Sequence, residues 1–267
     1  MRIAIIVFFT LLLLATLPAV ADDSSDFFQA LNSRDLAAVN ALLERNPSLA
    51  NAQRPNGTSA VTMAMFSIAK GERAFHRVSE NEILKAVLAR SPKLGLLETA
   101  ALGTASQLDA LLRKDPANRK YRSAFGWTLL HVAAYAGNVA TTELLLKKGA
   151  AIEVRAESKF RNTPLQTALL TGELATAKLL LEHGADPLVR QHKGAAPMHE
   201  AALLGRQDLV QLLLDHGAEI NSVADNGQTP LAEALRGGHS DLAEWMKAKG
   251  AVTGIQSDED VEIKKKQ

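Results

Sequence analysis

The sequence predicts an all-α fold built from about seven stacked helix pairs, and three observations predict it. The stretch TLLHVAAYAGNVATTELLLKKGA, from Thr128 to Ala150, returns in altered form as TPLQTALLTGELATAKLLLEHGA from Thr163 and as APMHEAALLGRQDLVQLLLDHGA from Ala196. A chain repeats a motif of this length when one helix pair cannot hide its apolar face alone and neighbouring pairs hide it for each other. Composition agrees: 47% of residues are hydrophobic but only 4% aromatic, and Ala and Leu dominate, which favours helices over large sheets. Helix punctuation is the third: in the last four units Thr or Pro stands where the first helix begins and Gly where the second helix ends.

Residues 1–21 stand apart from the repeats. Arg2 supplies a positive start, Ile3 to Leu17 is uncharged and apolar, and Pro18 followed by Ala19-Val20-Ala21 matches a small-residue cleavage site, so this segment reads as a signal peptide cut after Ala21. The apolar run is shorter than the roughly 20 residues that a spanning helix needs. With no cysteine for lipid modification and no twin-arginine pair, the expected mature protein is exported unfolded and acts in the periplasm or outside the cell. Such a fold must be held by packing, since it can form no disulfide. Cleavage leaves 29 basic against 29 acidic residues, which removes the usual electrostatic case for nucleic acid.

With Thr128 as anchor, the equivalent positions are Ser25, Thr58, Gly95, Thr163, Ala196 and Thr229, at successive spacings of 33, 37, 33, 35, 33 and 33 residues along the chain. The first three units, residues 22–124, are degenerate. Unit one keeps apolar addresses at Val39 and Leu42-Leu43 but ends its second helix at Asn46-Pro47, and Ser91-Pro92 and Asp115-Pro116 make the same stop further on. In unit two the helical part from Thr58 to Ser91 spans 33 residues, against 21 from Thr128 to Gly149, which predicts long helices and little or no hairpin. The segment KGERAFHRVSENE, Lys70 to Glu82, is its most individual feature. Units four to seven, residues 125–252, are regular. Gly137, Gly172, Gly205 and Gly238 fall where two antiparallel helices turn tightly, and Leu145, Leu180 and Leu213 recur at one buried helical address. The tail, residues 253–267, combines an acidic and a basic cluster and is expected to be mobile.

A 33-residue period with Thr-Pro-Leu-His, Ala-Ala, Gly and Leu-Leu-x-x-Gly-Ala landmarks resembles the ankyrin repeat. The match is close in the last four units, where TLLHVAAYAG, TPLQTALLTG, APMHEAALLG and TPLAEALRGG align. The resemblance implies a solenoid with short β-hairpin loops, whose concave face, made of hairpin tips and the exposed side of each first helix, binds another protein without a cofactor. Carried onto this sequence, that face holds Phe125, Trp127, Val132, Tyr135 and Ala136 in unit four, and Phe160, Arg161, Thr167 and Leu170 in unit five. Glu200, Leu203 and Leu204 follow in unit six, and Asn226, Gln228, Glu233 and Arg236 in unit seven. Two readings of Trp127 and Tyr135 stand: exposed aromatics beside an Arg, the composition of a binding hot spot, or core residues covered by the loose preceding units. Trp245 is expected to seal the last unit.

Chemistry is hard to find. The resemblance gives His131 and His199, fourth in the helix-start motif, a structural hydrogen-bonding role. His183 and His216 stand at helix ends, where positive charge complements the dipole. His192 and His199 have no recognised metal spacing. Nucleophile, zinc-protease and phosphate-loop motifs are missing, and the carboxylates are scattered over repeat surfaces. The run RKDPANRKYR, Arg113 to Arg122, holds five basic residues and one acid; it is a solvated loop or an anionic docking patch. Asn56-Gly57-Thr58 matches a glycosylation acceptor of near-chance frequency. The expectation is therefore a monomeric, non-catalytic binding module of the bacterial periplasm that regulates or protects an envelope enzyme, and not a binder of nucleic acid or membrane. Two competitors remain: an inhibitor or immunity protein that neutralises an envelope toxin or hydrolase, and a peptidoglycan- or membrane-associated scaffold using the basic run.

Overall fold

The computed structural model describes residues 23–66, 78–123 and 126–254, which divide into two compact units. The first holds residues 23–66 and 81–93; the second holds 78–80, 94–123 and 126–254. The signal segment, most of Lys70–Glu82 and all of the tail after Gly254 lie outside the described residues.

The first unit contains two helix pairs, α1 (Asp23–Ser33) with α2 (Leu36–Arg45) and α3 (Ala60–Met65) with α4 (Glu82–Leu88). Phe27, Leu31, Val39, Leu43, Met65, Ile83 and Val87 supply its core. Asn46 and Pro47 stop α2 as expected: the Asn46 side chain accepts from the Ser48 amide and the chain passes into a 3-10 turn over Pro47–Asn51. Two expectations fail here. The cap of α3 is Ser59, whose Oγ accepts from the Thr62 amide at 2.9 Å, so the unit sits one residue off the anchor Thr58. Nor are the helices long, since α3 has six residues and α4 seven. Asn81 is the reason: its side chain accepts from the Leu84 amide at 3.0 Å, starting α4, and donates to the Ala64 carbonyl at 2.7 Å, tying that start to α3.

Five pairs build the second unit: α5 (Leu96–Leu102) with α6 (Ala105–Lys114), α7 (Leu129–Tyr135) with α8 (Val139–Lys147), α9 (Pro164–Leu170) with α10 (Leu174–Glu182), α11 (Pro197–Leu203) with α12 (Gln207–Asp215), and α13 (Pro230–Arg236) with α14 (Ser240–Ala248). First helices pack on first helices and second on second, which leaves a single apolar cluster running through Leu130, Leu165, Leu180, Met198, Leu213 and Met246. Each fully buried Leu contributes about 1.5 to 3 kcal/mol relative to exposure. Side chains also stitch one unit to the next through carbonyls left free at helix ends: Thr141 Oγ1 donates to Ala100 at 2.6 Å and Thr171 Oγ1 to Tyr135 at 2.9 Å. Gly137 and its repeats turn the chain between the paired helices at φ of 70° to 83°, a region that costs other residues energy.

Among the described residues the all-α expectation holds, with seven helix pairs and no strand; the hairpins are closed turns. Ser123, Gln191 and Ala224 each donate their amide to the carbonyl four residues on, at 2.8 to 2.9 Å. The only β-bridge among the described residues is isolated, between Gln53 and Ser59. No helix among the described residues is long and apolar enough to cross a membrane.

Candidate interaction face

The hairpins and first helices of the second unit form one continuous face, and the fourth residue of each helix start fixes it. In unit four, His131 Nδ1 accepts from the Thr128 amide at 3.2 Å while Nε2 meets the Asn162 carbonyl of the next hairpin at 3.0 Å. Unit five uses Gln166, which accepts from the Thr163 amide at 2.9 Å and donates to the Val189 carbonyl at 3.0 Å. In unit six His199 links Ala196 to Gln228 in the same way. One polar side chain thus caps its own helix and anchors the following hairpin. The role requires a neutral imidazole carrying its proton on Nε2, and burial depresses the basicity of His131 to about 4. His199 is lowered by the same cause. His183 and His216 turn back onto the Leu179 and Leu212 carbonyls at the ends of their helices, at 2.9 and 2.8 Å.

Adjacent hairpins touch as well. The His192 amide donates to the Phe160 carbonyl at 3.2 Å, the Asp225 amide to the Lys193 carbonyl at 3.0 Å, and Arg155 to the Arg190 carbonyl at 2.6 Å. The backbones of these tips, which carry the projecting side chains, are therefore held in a fixed row.

The face differs from the expected one in its aromatics. Tyr135 is 4% exposed and Leu170 9% exposed, and Val132 and Thr167 are fully buried, so none of these four lies open. The first helices meet through small buried residues such as Ala133, Ala168 and Ala201, which let their backbones approach closely. Trp127 is half-buried; its ring lies nearly parallel to that of His131 at 6.1 Å and tilted against Tyr135 at 5.4 Å. Burial pushes the Tyr135 phenol up to about 12. Phe125 lies outside the described residues.

Other expected residues do reach the surface. Phe160 is 57% exposed, Arg161, Asn226 and Arg236 are exposed, and Leu203 and Gln228 are half-covered. Glu200 of α11 and Glu233 of α13 hold the same address in successive units. Glu233 pairs with Arg236 one turn on, whereas Glu200 is pushed up to about 7, first by burial and then by the charge of Glu233, with Arg236 opposing. Lys159, His192 and Lys193, exposed at the tips, were not anticipated. The signal for the first was the 35-residue spacing between Thr128 and Thr163. Trp245 is half-buried against the core with Lys249 above its ring at 4.7 Å, which closes the last unit as expected.

Among the described residues no group of three or more His, Asp or Glu is placed to hold a metal ion. What the arrangement can do is present dissimilar side chains to a macromolecule from a row of backbone-linked tips. Models of ankyrin repeats match residues 96–191, as three copies, and residues 198–246, as a many-copy array, together more than half of the chain. Comparison with curated proteins finds none that matches.

Proposed function

Because this chain belongs to the ankyrin-repeat family, whose domains are generally non-catalytic protein-interaction modules, we propose that it captures a partner protein on the hairpin and first-helix face of residues 94–254. The single observation that carries this reading is the linked hairpin row, in which backbone bonds between successive tips hold Phe160, Arg161, Lys193 and Asn226 in fixed relation. Preorganisation of this kind lowers the entropic cost of association. The export-like start, Arg2 followed by the apolar run to Leu17 and the small residues before Asp22, supports a periplasmic site of action. The partner there is an envelope enzyme that the chain regulates or protects.

A pull-down from envelope extract tests the reading, using the mature protein and a variant with Phe160, Arg161, Gln228 and Arg236 replaced by Ala. Capture of one protein by the first and not by the second is expected. Equal capture by both, or a cytoplasmic product that keeps its first 21 residues, overturns it. The uneven distribution of charge favours a second reading, in which the partner is a toxin or hydrolase that the chain neutralises. Residues 194–254 hold eight acids and four bases, so a net charge of zero conceals a strongly polarised surface.

A further inference from the structure

The fifth hairpin differs from its sisters in length, backbone and charge. Its closing bond runs from the Ala156 amide to the Asn162 carbonyl and encloses seven residues, where Ser123–Trp127, Gln191–Ala195 and Ala224–Gln228 enclose five. The two additional residues account for the 35-residue spacing and carry Phe160 outward, the most exposed of the large hydrophobic residues described. Two positions before the anchor, where the other hairpins have Gly126, Gly194 and Gly227 at φ of 71°, 73° and 79°, this one has Arg161 at φ 55°. A charged residue held where glycine is the unstrained choice points to a role for its side chain.

The cations here also stand without an ion pair among the described residues. Four helix lysines, Lys85, Lys147, Lys178 and Lys247, pair with a carboxylate one turn away. Lys159, Arg161 and Lys193 pair with none among the described residues, although Lys193 sits on the next hairpin, joined to the fifth through the bond from His192 to Phe160. The loops of residues 115–122, 153–161 and 186–193 together hold eight Lys and Arg against four Asp and Glu, while residues 194–254 hold twice as many acids as bases. An extended polyanion or a bilayer would meet that acidic part as well. A short acidic segment meets only the basic loops.

Resting on the partner-capture reading above, we propose that the fifth hairpin docks onto an acidic, partly apolar peptide segment of the partner. Phe160 makes the apolar contact, Arg161 takes a carboxylate through its fork of N–H donors, and Lys159 and Lys193 flank it. The probe is a fluorescein-labelled peptide of four Glu-Glu-Leu-Gly repeats, compared by fluorescence anisotropy with its Lys-for-Glu counterpart and with phosphatidylglycerol vesicles. The mature protein is expected to bind the acidic peptide, more weakly as salt rises, and to ignore the basic one. Arg161→Gly and Phe160→Ser should each weaken binding by about fivefold or more, and joint reversal of Lys159, Arg161 and Lys193 to Glu by at least about tenfold. Arg161→Gly should keep or raise the thermal midpoint, which separates loss of the contact from loss of the fold. No binding of the acidic peptide, equal binding by the charge-reversed variant, or preference for the vesicles overturns the proposal. If the pull-down still depends on the hairpin face while the peptide is ignored, partner capture stands and this inference falls.

Discussion

His131 shows how much a single side chain decides in a repeat protein. Its ring is fully buried and acts as acceptor on one nitrogen and donor on the other, so protonation removes the acceptor of the Thr128 amide from the cap of α7. Unfolded, the imidazole takes up a proton near its ordinary value of 6.5; folded, it does so only near 4. Stability from this group is complete above pH 6.5 and is lost as pH falls toward 4, by about 3 kcal/mol in all. Urea melts across that range check the slope. His131→Gln should remove most of the pH dependence at little cost, because Gln166 makes the same two bonds one unit on. Glu200 has the opposite sign: its raised value means that stability present below its ordinary 4.5 is lost as pH rises through about 7. Glu200→Gln is expected to stabilise the protein by about 1 to 3 kcal/mol at pH 8 and by nothing measurable at pH 4, a range held down by its partial exposure. Trp127, half-buried on His131 and Tyr135, is expected on truncation to Ala to cost about 1 to 3 kcal/mol of stability; an unchanged melting temperature would return it to the free surface.

At the scale of the helix pair, stability comes from addresses that recur. Leu180 lies at the same place as Leu145 and Leu213 and is completely buried between second helices. Leu180→Ala leaves a cavity that neighbouring units cannot refill, with an expected cost of about 2 to 5 kcal/mol in denaturant unfolding. The hairpin is the element with freedom to vary. Its base is fixed by the capping residue of the preceding unit, as His131 holds Asn162, so a two-residue insertion changes what the tip displays without disturbing the helices on either side.

On the scale of the molecule, stacking arithmetic separates the two units. Repeats support one another through nearest neighbours, and about three are needed for a stable array. The second unit has five helix pairs around one apolar cluster, the first only two. A fragment of residues 94–254 is expected to unfold cooperatively in circular dichroism melts, since its five helix pairs exceed that number. Residues 22–93 alone are expected to show no cooperative transition. A cooperative melt from the smaller fragment would show that its core of Phe27, Leu31 and Leu43 suffices.

The number of helix pairs, their starts at Thr128, Thr163 and Thr229, their closing glycines and the buried leucine address were all legible in the sequence. These depend on contacts within a unit or with the next, which a fixed period reproduces each time. The one-residue offset at Ser59 and the short helices α3 and α4 were not, because the period there is broken and Asn81 sets the boundary through a bond to a carbonyl 17 residues away. What only the tertiary structure decided is which addresses face outward. Tyr135 and Phe160 are both aromatics on the expected face, yet one is buried under Trp127 and the other stands on a lengthened tip. Glu200 likewise owes its character to burial and to Glu233, a full unit distant in the chain. Burial and electrostatic environment are sums over groups close in space, and spacing along a chain records only those that recur with the repeat.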